Sequence, residues 1–321
     1  MKNNSILLKS VFAILLLSIS KFSLAITCSY GSYGQLRPNT PYYNFGSVIV
    51  QRDTPVGTIL KTLSVNHGSY SGMLGCDSPW TEIEQMTLFT SSSSISGVYD
   101  TNIAGIGIRV GYAPNYNFNH FLSHDGGVYL LTSENINAYL VKTVPGAVGA
   151  GNLRTGILTK QIIAESSSYY VDTGLGSTTI IPVACSISTP NLNFPIGDVL
   201  ASNFGSSIGT TPAGAQNTQN LGLNCDSGAN INVALNGTQN PDVGTTSVLA
   251  LTNQGSADVA KGVGVQILYN GSPLVLNNRI WLKTSSGGQE TFPITARYYQ
   301  TKTAVTTGKA NASATLDLTY Q

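Results

Sequence analysis

Charge is what this sequence has least of. Asp, Glu, Lys and Arg together make 10% of its 321 residues, against about 25% in ordinary soluble chains. Long solvated helices need Lys and Glu on their exposed faces, so the shortage excludes a helical bundle or coiled coil. There is no basic block and the formal net charge is +1, which argues against a nucleic-acid or anionic-membrane partner. Close C-x-x-C spacing, the usual mark of a structural zinc site, is absent. No histidine follows His124, so the G-x-S-x-G match at Gly205-Ser206-Ser207-Ile208-Gly209 has no base to complete a nucleophile elbow. P-loop, H-E-x-x-H and Rossmann patterns are missing too. Glu82 and Glu84 come nearest to a glycosidase acid pair, and are expected to face opposite sides of a strand rather than one cleft. The sequence therefore argues against an enzyme and calls for no cofactor. With 34 glycines among 321 residues, the composition is that of an exported protein rich in β-structure.

The N-terminus sets the compartment. Lys2 and Lys9 precede the apolar run from Val11 to Leu17, and Ser23-Leu24-Ala25 supplies small residues at the cleavage positions. Residues 1–25 read as a secretory signal peptide cleaved before Ile26, too short to span a bilayer. The cysteines are Cys28, Cys76, Cys185 and Cys225. Three pairings are open in principle. Their grouping along the chain favours Cys28–Cys76 and Cys185–Cys225, and loops of this length would each add roughly 4 kcal/mol in the chain-entropy model.

Two halves differ in composition. Of the 16 tyrosines, 12 fall between Ile26 and Pro182, along with all three histidines, His67, His120 and His124. The second half is rich in Thr, Asn, Gly and Ala and alternates with period two. Leu221, Leu223 and Cys225 share one face; so do Ile231, Val233 and Leu235; so do Val263, Val265 and Ile267; so do Phe292, Ile294, Ala296 and Tyr298. Asn270-Gly271 is a hairpin signal. Short strands at regular spacing predict an antiparallel sandwich. In the last segment Ala310, Ala312, Ala314, Leu316, Leu318 and Tyr320 lie on one face and polar residues on the other, which calls for burial of that face. Such a strand is either a terminal edge strand or one wall of an incomplete sandwich that another chain fills.

The Cys185…Cys225 spacing, the segment Gly262-Val263-Gly264-Val265-Gln266-Ile267, Gly308 and the penultimate Tyr320 resemble the pilin domain of chaperone–usher fimbriae. That resemblance covers roughly 184–321. It implies an Ig-like fold lacking one strand, with Gly308, Leu316, Leu318, Tyr320 and Gln321 in the segment contacted by a periplasmic chaperone and later by the donor strand of an adjacent subunit. The layout is similar to two-domain tip adhesins of type 1 and type 3 fimbriae. Ile26-Thr27-Cys28 resembles the type 1 start, and the segment from Asp100 to Val110 resembles type 3-like adhesins. With no donor extension ahead of Cys28, the expected position is the tip of the fibre. The expectation is an all-β protein of two β-sandwich domains: a signal peptide 1–25, a lectin-like receptor-binding domain 26–182 and an incomplete Ig-like pilin domain 183–321. It would pass the periplasm and an outer-membrane usher to reach the cell surface, and bind a host glycan or matrix protein. The alternative is a non-adhesive structural or fibre-initiating subunit.

Ligand sites of this kind need oriented hydrogen-bonding groups and an aromatic face. The candidates are Tyr30 after the first cysteine, Asp77 after the second, and Tyr116, Asn117 and Asn119 in a polar-aromatic run. By resemblance to mannose-binding relatives, Ile26 and Asp77 would line a pocket, although the Asn/Asp-rich loop that completes it has no counterpart. Trp80 is expected in the core. His67, His120 and His124 are a minor candidate zinc set; the expectation is that no metal is bound.

Overall fold

The computed structural model describes residues 26–30, 40–66, 72–112, 117–131, 135–165 and 168–321. The signal segment, His67 and Tyr116 lie outside them. Up to the end of the N-terminal half the strands are β1 (Cys28–Tyr30), β2 (Tyr42–Tyr43), β3 (Gly46–Gln51), β4 (Ile59–Asn66), β5 (Gly72–Cys76), β6 (Trp80–Met86), β7 (Tyr99–Asp100), β8 (Ile106–Gly111), β9 (His120–His124), β10 (Gly127–Leu131), β11 (Asn135–Lys142), β12 (Gly151–Asn152), β13 (Gly156–Ile163), β14 (Ser168–Leu175) and β15 (Thr178–Val183). The second half adds β16 (Cys185–Ile187), β17 (Gln216–Cys225), β18 (Asn230–Asn236), β19 (Val263–Tyr269), β20 (Ser272–Pro273), β21 (Arg279–Thr284), β22 (Gly288–Gln300) and β23 (Thr315–Tyr320). Apart from one 3-10 turn at Ala201–Asn203, the described chain holds no helix. The fold is all-β.

In the N-terminal half a sheet ordered β4-β11-β8-β7 packs with one ordered β2-β14-β13-β6-β9, flanked by β12-β15-β3 and β1-β5-β10. Alternation decides which side chains meet. Ile106, Ile108 and Val110 of β8 turn inward to meet Ile136, Ala138 and Leu140 of β11, all 1% exposed or less. Tyr43 is fully buried among them, and its hydroxyl donates to the Ile136 carbonyl at 3.0 Å. Burial pushes the Tyr43 phenol far above its usual range.

The C-terminal half is built from a sheet ordered β16-β17-β22-β19-β20 and a second ordered β21-β18-β23. Leu221, Leu223, Phe292, Ile294, Ile231 and Val233 form its core with the faces expected from the period-two pattern. Asn270 and Gly271 both have positive φ, 48° and 76°, as a two-residue primed hairpin turn requires. Both disulfides, Cys28–Cys76 and Cys185–Cys225, join residues directly opposite in antiparallel register.

The halves meet at the turn after β3. Asp53 N–H donates to the Tyr320 carbonyl at 3.0 Å, and Tyr320 N–H donates to Asp53 Oδ2 at 2.9 Å. Gln51 bridges a second point: its amide donates to the Gly228 carbonyl at 2.7 Å and accepts from Asn230 N–H at 3.0 Å. Arg52 lies 4.6 Å over the Tyr320 ring. Beneath them Lys142, fully buried, donates through Nζ to the carbonyls of Gln51 and Arg52. Burial lowers the Lys142 pKa, and the charge of Asp53 opposes that shift.

Candidate functional site

A trough of about 1190 Å³ lies in the C-terminal half. One wall is the extended stretch after β16, where Leu192, Phe194 and Ile196 turn half-buried toward the core while Asn191, Asn193 and Pro195 face out. The opposite wall is 308–318, where Ala310, Ala312, Leu316 and Leu318 pack inward. Ala314 also lines the trough and is exposed there. The floor includes Leu235, Val265 and Ile294. β23 ends its sheet and pairs only with β18 among the described strands. Two walls with inward apolar residues, an apolar floor and an open ladder edge describe the space of one missing strand.

Gly308 opens the second wall. A Cβ there would sit 2.4 Å from Ala260 N and 2.6 Å from the Val259 carbonyl carbon, with φ at +153°. Only glycine lets the two backbones approach this closely. Tyr320, 1% exposed, closes the far end of the wall, and Gln321 donates to the Asp53 carbonyl at 3.1 Å.

In the N-terminal half the sequence-derived ligand candidates divide. Thr27 N–H donates to Asp77 Oδ1 at 3.1 Å and Asp77 N–H to the Thr27 carbonyl at 3.1 Å, which holds the Ile26 end of the chain beside Asp77. Ile26 itself packs half-buried on the core. Tyr30 ends β1 on the same sheet. Asn119, with φ of 75°, accepts from Met86 N–H at 3.0 Å and donates to the Tyr99 hydroxyl, so its amide already has two protein partners. Asn117 lies beside it in sequence, and its buried Oδ1 has no hydrogen-bond partner.

The acidic pair needs correction. Residues two apart on a strand share a face, and Glu82 and Glu84 both turn inward from β6, 8% and 1% exposed. Glu84 accepts from Gln161 at 3.0 Å, and Glu82 lies 3.0 Å from His124 Nε2. They are held in separate bonds on one inner face. His124 also stacks on buried Trp80 with ring centroids 4.2 Å apart. Four residues apart on β9, His120 and His124 are separated by about 13 Å along the strand, too far to share one metal ion.

One residue the sequence reading passed over is Arg109. It sits within a segment noted only for its family resemblance. Its guanidinium lies 4.4 Å over the Tyr139 ring, its buried Nε has no hydrogen-bond partner, and it makes no ion pair among the described residues.

Comparison with known proteins covers both halves. The family described as "Fimbrial protein" matches residues 175–321, and the family described as "MrkD-like receptor binding domain" matches residues 42–179. A fimbria adhesin protein of Klebsiella pneumoniae is 26% identical over 328 residues, covering 95% of this chain and 99% of that protein. A fimbrial subunit type 1 of Salmonella typhimurium is 32% identical over 148 residues, covering 44% of this chain and 78% of the subunit. Among solved structures, the receptor binding domain of the adhesin MrkD1P of Klebsiella pneumoniae aligns at 22% identity and TM-score 0.41, over 50% of this chain and 99% of that domain. The CupB6 tip adhesin from Pseudomonas aeruginosa aligns at 15% identity and TM-score 0.39, over 92% of this chain and 93% of its own.

Proposed function

This chain belongs to the fimbrial proteins as a two-domain fimbrial adhesin, and from that premise we propose that it is held at the tip of a surface fibre by a strand lent from another chain. An MrkD-like receptor-binding domain precedes a pilin domain, so the protein is an adhesin rather than an enzyme. The non-adhesive alternative gives way to the receptor-binding domain. The domain boundary is best placed between 182 and 183: apolar residues up to Ile180 pack in one core and those from Val183 in the other.

The observation that carries the assembly reading is the trough of the pilin domain. Its walls are two extended segments with alternating inward apolar residues, and it has room for one more strand. An extended peptide entering it would pair with the open edge of β23 and bury alternate side chains against Leu235, Val265 and Ile294. Left uncovered, the same surface is a site for aggregation. A periplasmic chaperone would supply the strand first, the usher would hand over the complex, and the donor segment of the adjacent subunit would replace it. Gly308, Leu316 and Leu318 belong to the receiving wall, and Tyr320 and Gln321 continue its strand beyond the trough. β1 is paired with β5 inside its own domain, so Cys28–Tyr30 is engaged there, in keeping with a subunit that receives a strand.

The receptor-binding domain would take a glycan or matrix protein, with Ile26, Tyr30 and Asp77 in one region and Tyr116, Asn117 and Asn119 in another. Deleting Leu318 to Gln321 tests the assembly reading. Periplasmic accumulation of the full chain with its chaperone should be lost, and an unchanged yield would overturn the assignment of that wall.

A further inference from the structure

We infer that the pilin domain grips the strand-lending subunit at a second place, outside the trough. An apolar platform centred on Leu200 and Ile208, at the end of the domain away from the receptor-binding half, is covered by the folded body of that subunit. This rests on the assembly reading and deepens it, by naming where the body behind the lent strand sits.

Chain direction fixes the end. A lent strand lies along the wall that starts at Gly308 and runs through β23 toward Tyr320. The Tyr320 end is taken: Asp53 exchanges two hydrogen bonds with it, and Arg52 lies over its ring. With the receptor-binding domain standing there, the body attached to the lent strand lies beyond Gly308.

A run of backbone bonds carries that end from Gly308 to the loop of residues 199–211. Ala260 N–H donates to the Lys309 carbonyl at 3.0 Å, Thr301 N–H to the Gly262 carbonyl at 2.8 Å, and Gly209 N–H to the Gln300 carbonyl at 2.9 Å. Gln300 N–H returns a bond to the Thr210 carbonyl at 2.9 Å, and its fully buried side chain donates to the Gly205 carbonyl at 2.8 Å. The loop is thus pinned to the end of β22. Its residues Val199, Ala201 and Phe204 line the trough, so the platform is continuous with the surface that receives the strand.

Two large apolar side chains of this pinned loop face solvent. Leu200 is 71% exposed, more than any other large apolar side chain among the described residues, and Ile208 is 53% exposed. Folding leaves both in water while their neighbours Val199 and Phe204 turn inward. Covering them removes apolar surface from water, which stabilises whatever contact does so. Their exposed neighbours Ser202, Asn203, Ser206 and Ser207 are small and uncharged. Two ion pairs flank them, Lys302 with Asp242 and Lys309 with Asp258, each at 3.0 Å, so those charges are answered within the domain. An apolar centre with a polar rim is the make-up of a protein–protein contact, and it fits an apolar patch on the partner. A body delivered here by its own strand meets the platform at high effective concentration, so a contact of two side chains suffices.

The test sets two probes on the full chain. Fibres grown on cells with its chaperone, usher and subunits are held in one guanidinium concentration, and the loss of antibody-labelled adhesin from fibre ends is timed. In parallel, an extended peptide of alternating apolar residues, which brings a strand but no body, is exchanged for the chaperone in the purified complex. Leu200→Ser combined with Ile208→Ser should speed loss of adhesin from the fibres by about tenfold or more and leave peptide exchange unchanged. Leu200→Met, which keeps the apolar surface, should hold like the parent. A double variant that leaves the fibres at the parent's rate overturns the platform. So does one whose peptide exchange suffers equally, because the defect then lies in the trough. If the parent itself takes up no peptide, the assembly reading fails and this inference falls with it.

Discussion

Replacing Asp53 by alanine tests whether the two domains are latched as the structure has them. The carboxylate accepts from Tyr320 N–H at 2.9 Å and from the Arg52 guanidinium at 2.9 Å. The Arg52 side chain is 38% exposed and regains water when the partner is lost, so that pair contributes little. The Tyr320 amide is the costlier orphan, since a part-buried donor without an acceptor loses about 1–3 kcal/mol. The backbone bond from Asp53 N–H to the Tyr320 carbonyl survives the substitution. A net loss of about 1–2 kcal/mol should raise transient opening of this contact roughly 5- to 30-fold. Amide hydrogen exchange of the full chain reads it directly: the segment containing Tyr320 should exchange faster by that factor, and β17 should not change. Acid should mimic the variant. Burial alone would push the Asp53 carboxyl up, but the Arg52 guanidinium, the Tyr320 N–H and the Lys142 charge together hold it below the usual range. Its contribution is therefore full above the unfolded pKa of about 3.9 and is lost as pH falls through the lower folded value. Exchange at Tyr320 that is identical in both proteins at neutral pH would refute the latch.

Two further substitutions probe the packing. Gly308→Ala places a methyl against the Ala260 and Val259 backbone, which no rotamer change relieves; chemical denaturation of the strand-complemented chain should show a loss of about 2–4 kcal/mol, and wild-type stability would mean the wall is mobile there. Tyr43→Phe deletes the 3.0 Å bond to the Ile136 carbonyl and leaves the ring in place; the loss should be about 1–3 kcal/mol because a buried acceptor is left unpaired, and no change on thermal melting would contradict that reading.

Much of the C-terminal domain was legible in its sequence because a half-buried strand writes its face into every second residue. Leu221, Leu223, Ile231, Val233, Phe292 and Ile294 were placed correctly by that rule alone. The walls of the trough were visible only in part. Ala310, Ala312, Leu316 and Leu318 alternate clearly, but Leu192, Phe194 and Ile196 are broken up by prolines and asparagines, and no ladder partner marks them as a strand. The N-terminal half was harder. Asn117 was chosen from its polar-aromatic surroundings, whereas Arg109 is one cation inside an apolar strand. What distinguishes it is a stack on Tyr139, 30 residues away in sequence, that no local pattern encodes. Asn119 was chosen from the same run as Asn117, and its bonds to Met86 and Tyr99, 33 and 20 residues away, are equally hidden from local pattern. His120 and His124 are four apart, a spacing that suits a shared metal in a helix or tight loop but not on the strand they form.

The claim on which assembly rests is that the pilin domain lacks one strand and accepts it from outside. Thermal unfolding of the full chain, with and without an extended peptide of alternating apolar residues, measures this most directly. At a peptide concentration one hundred times its dissociation constant the account predicts added stability of about 2.7 kcal/mol in the pilin-domain transition, with the receptor-binding domain unaffected. A pilin domain that melts cooperatively at the same temperature with or without the peptide would contradict it.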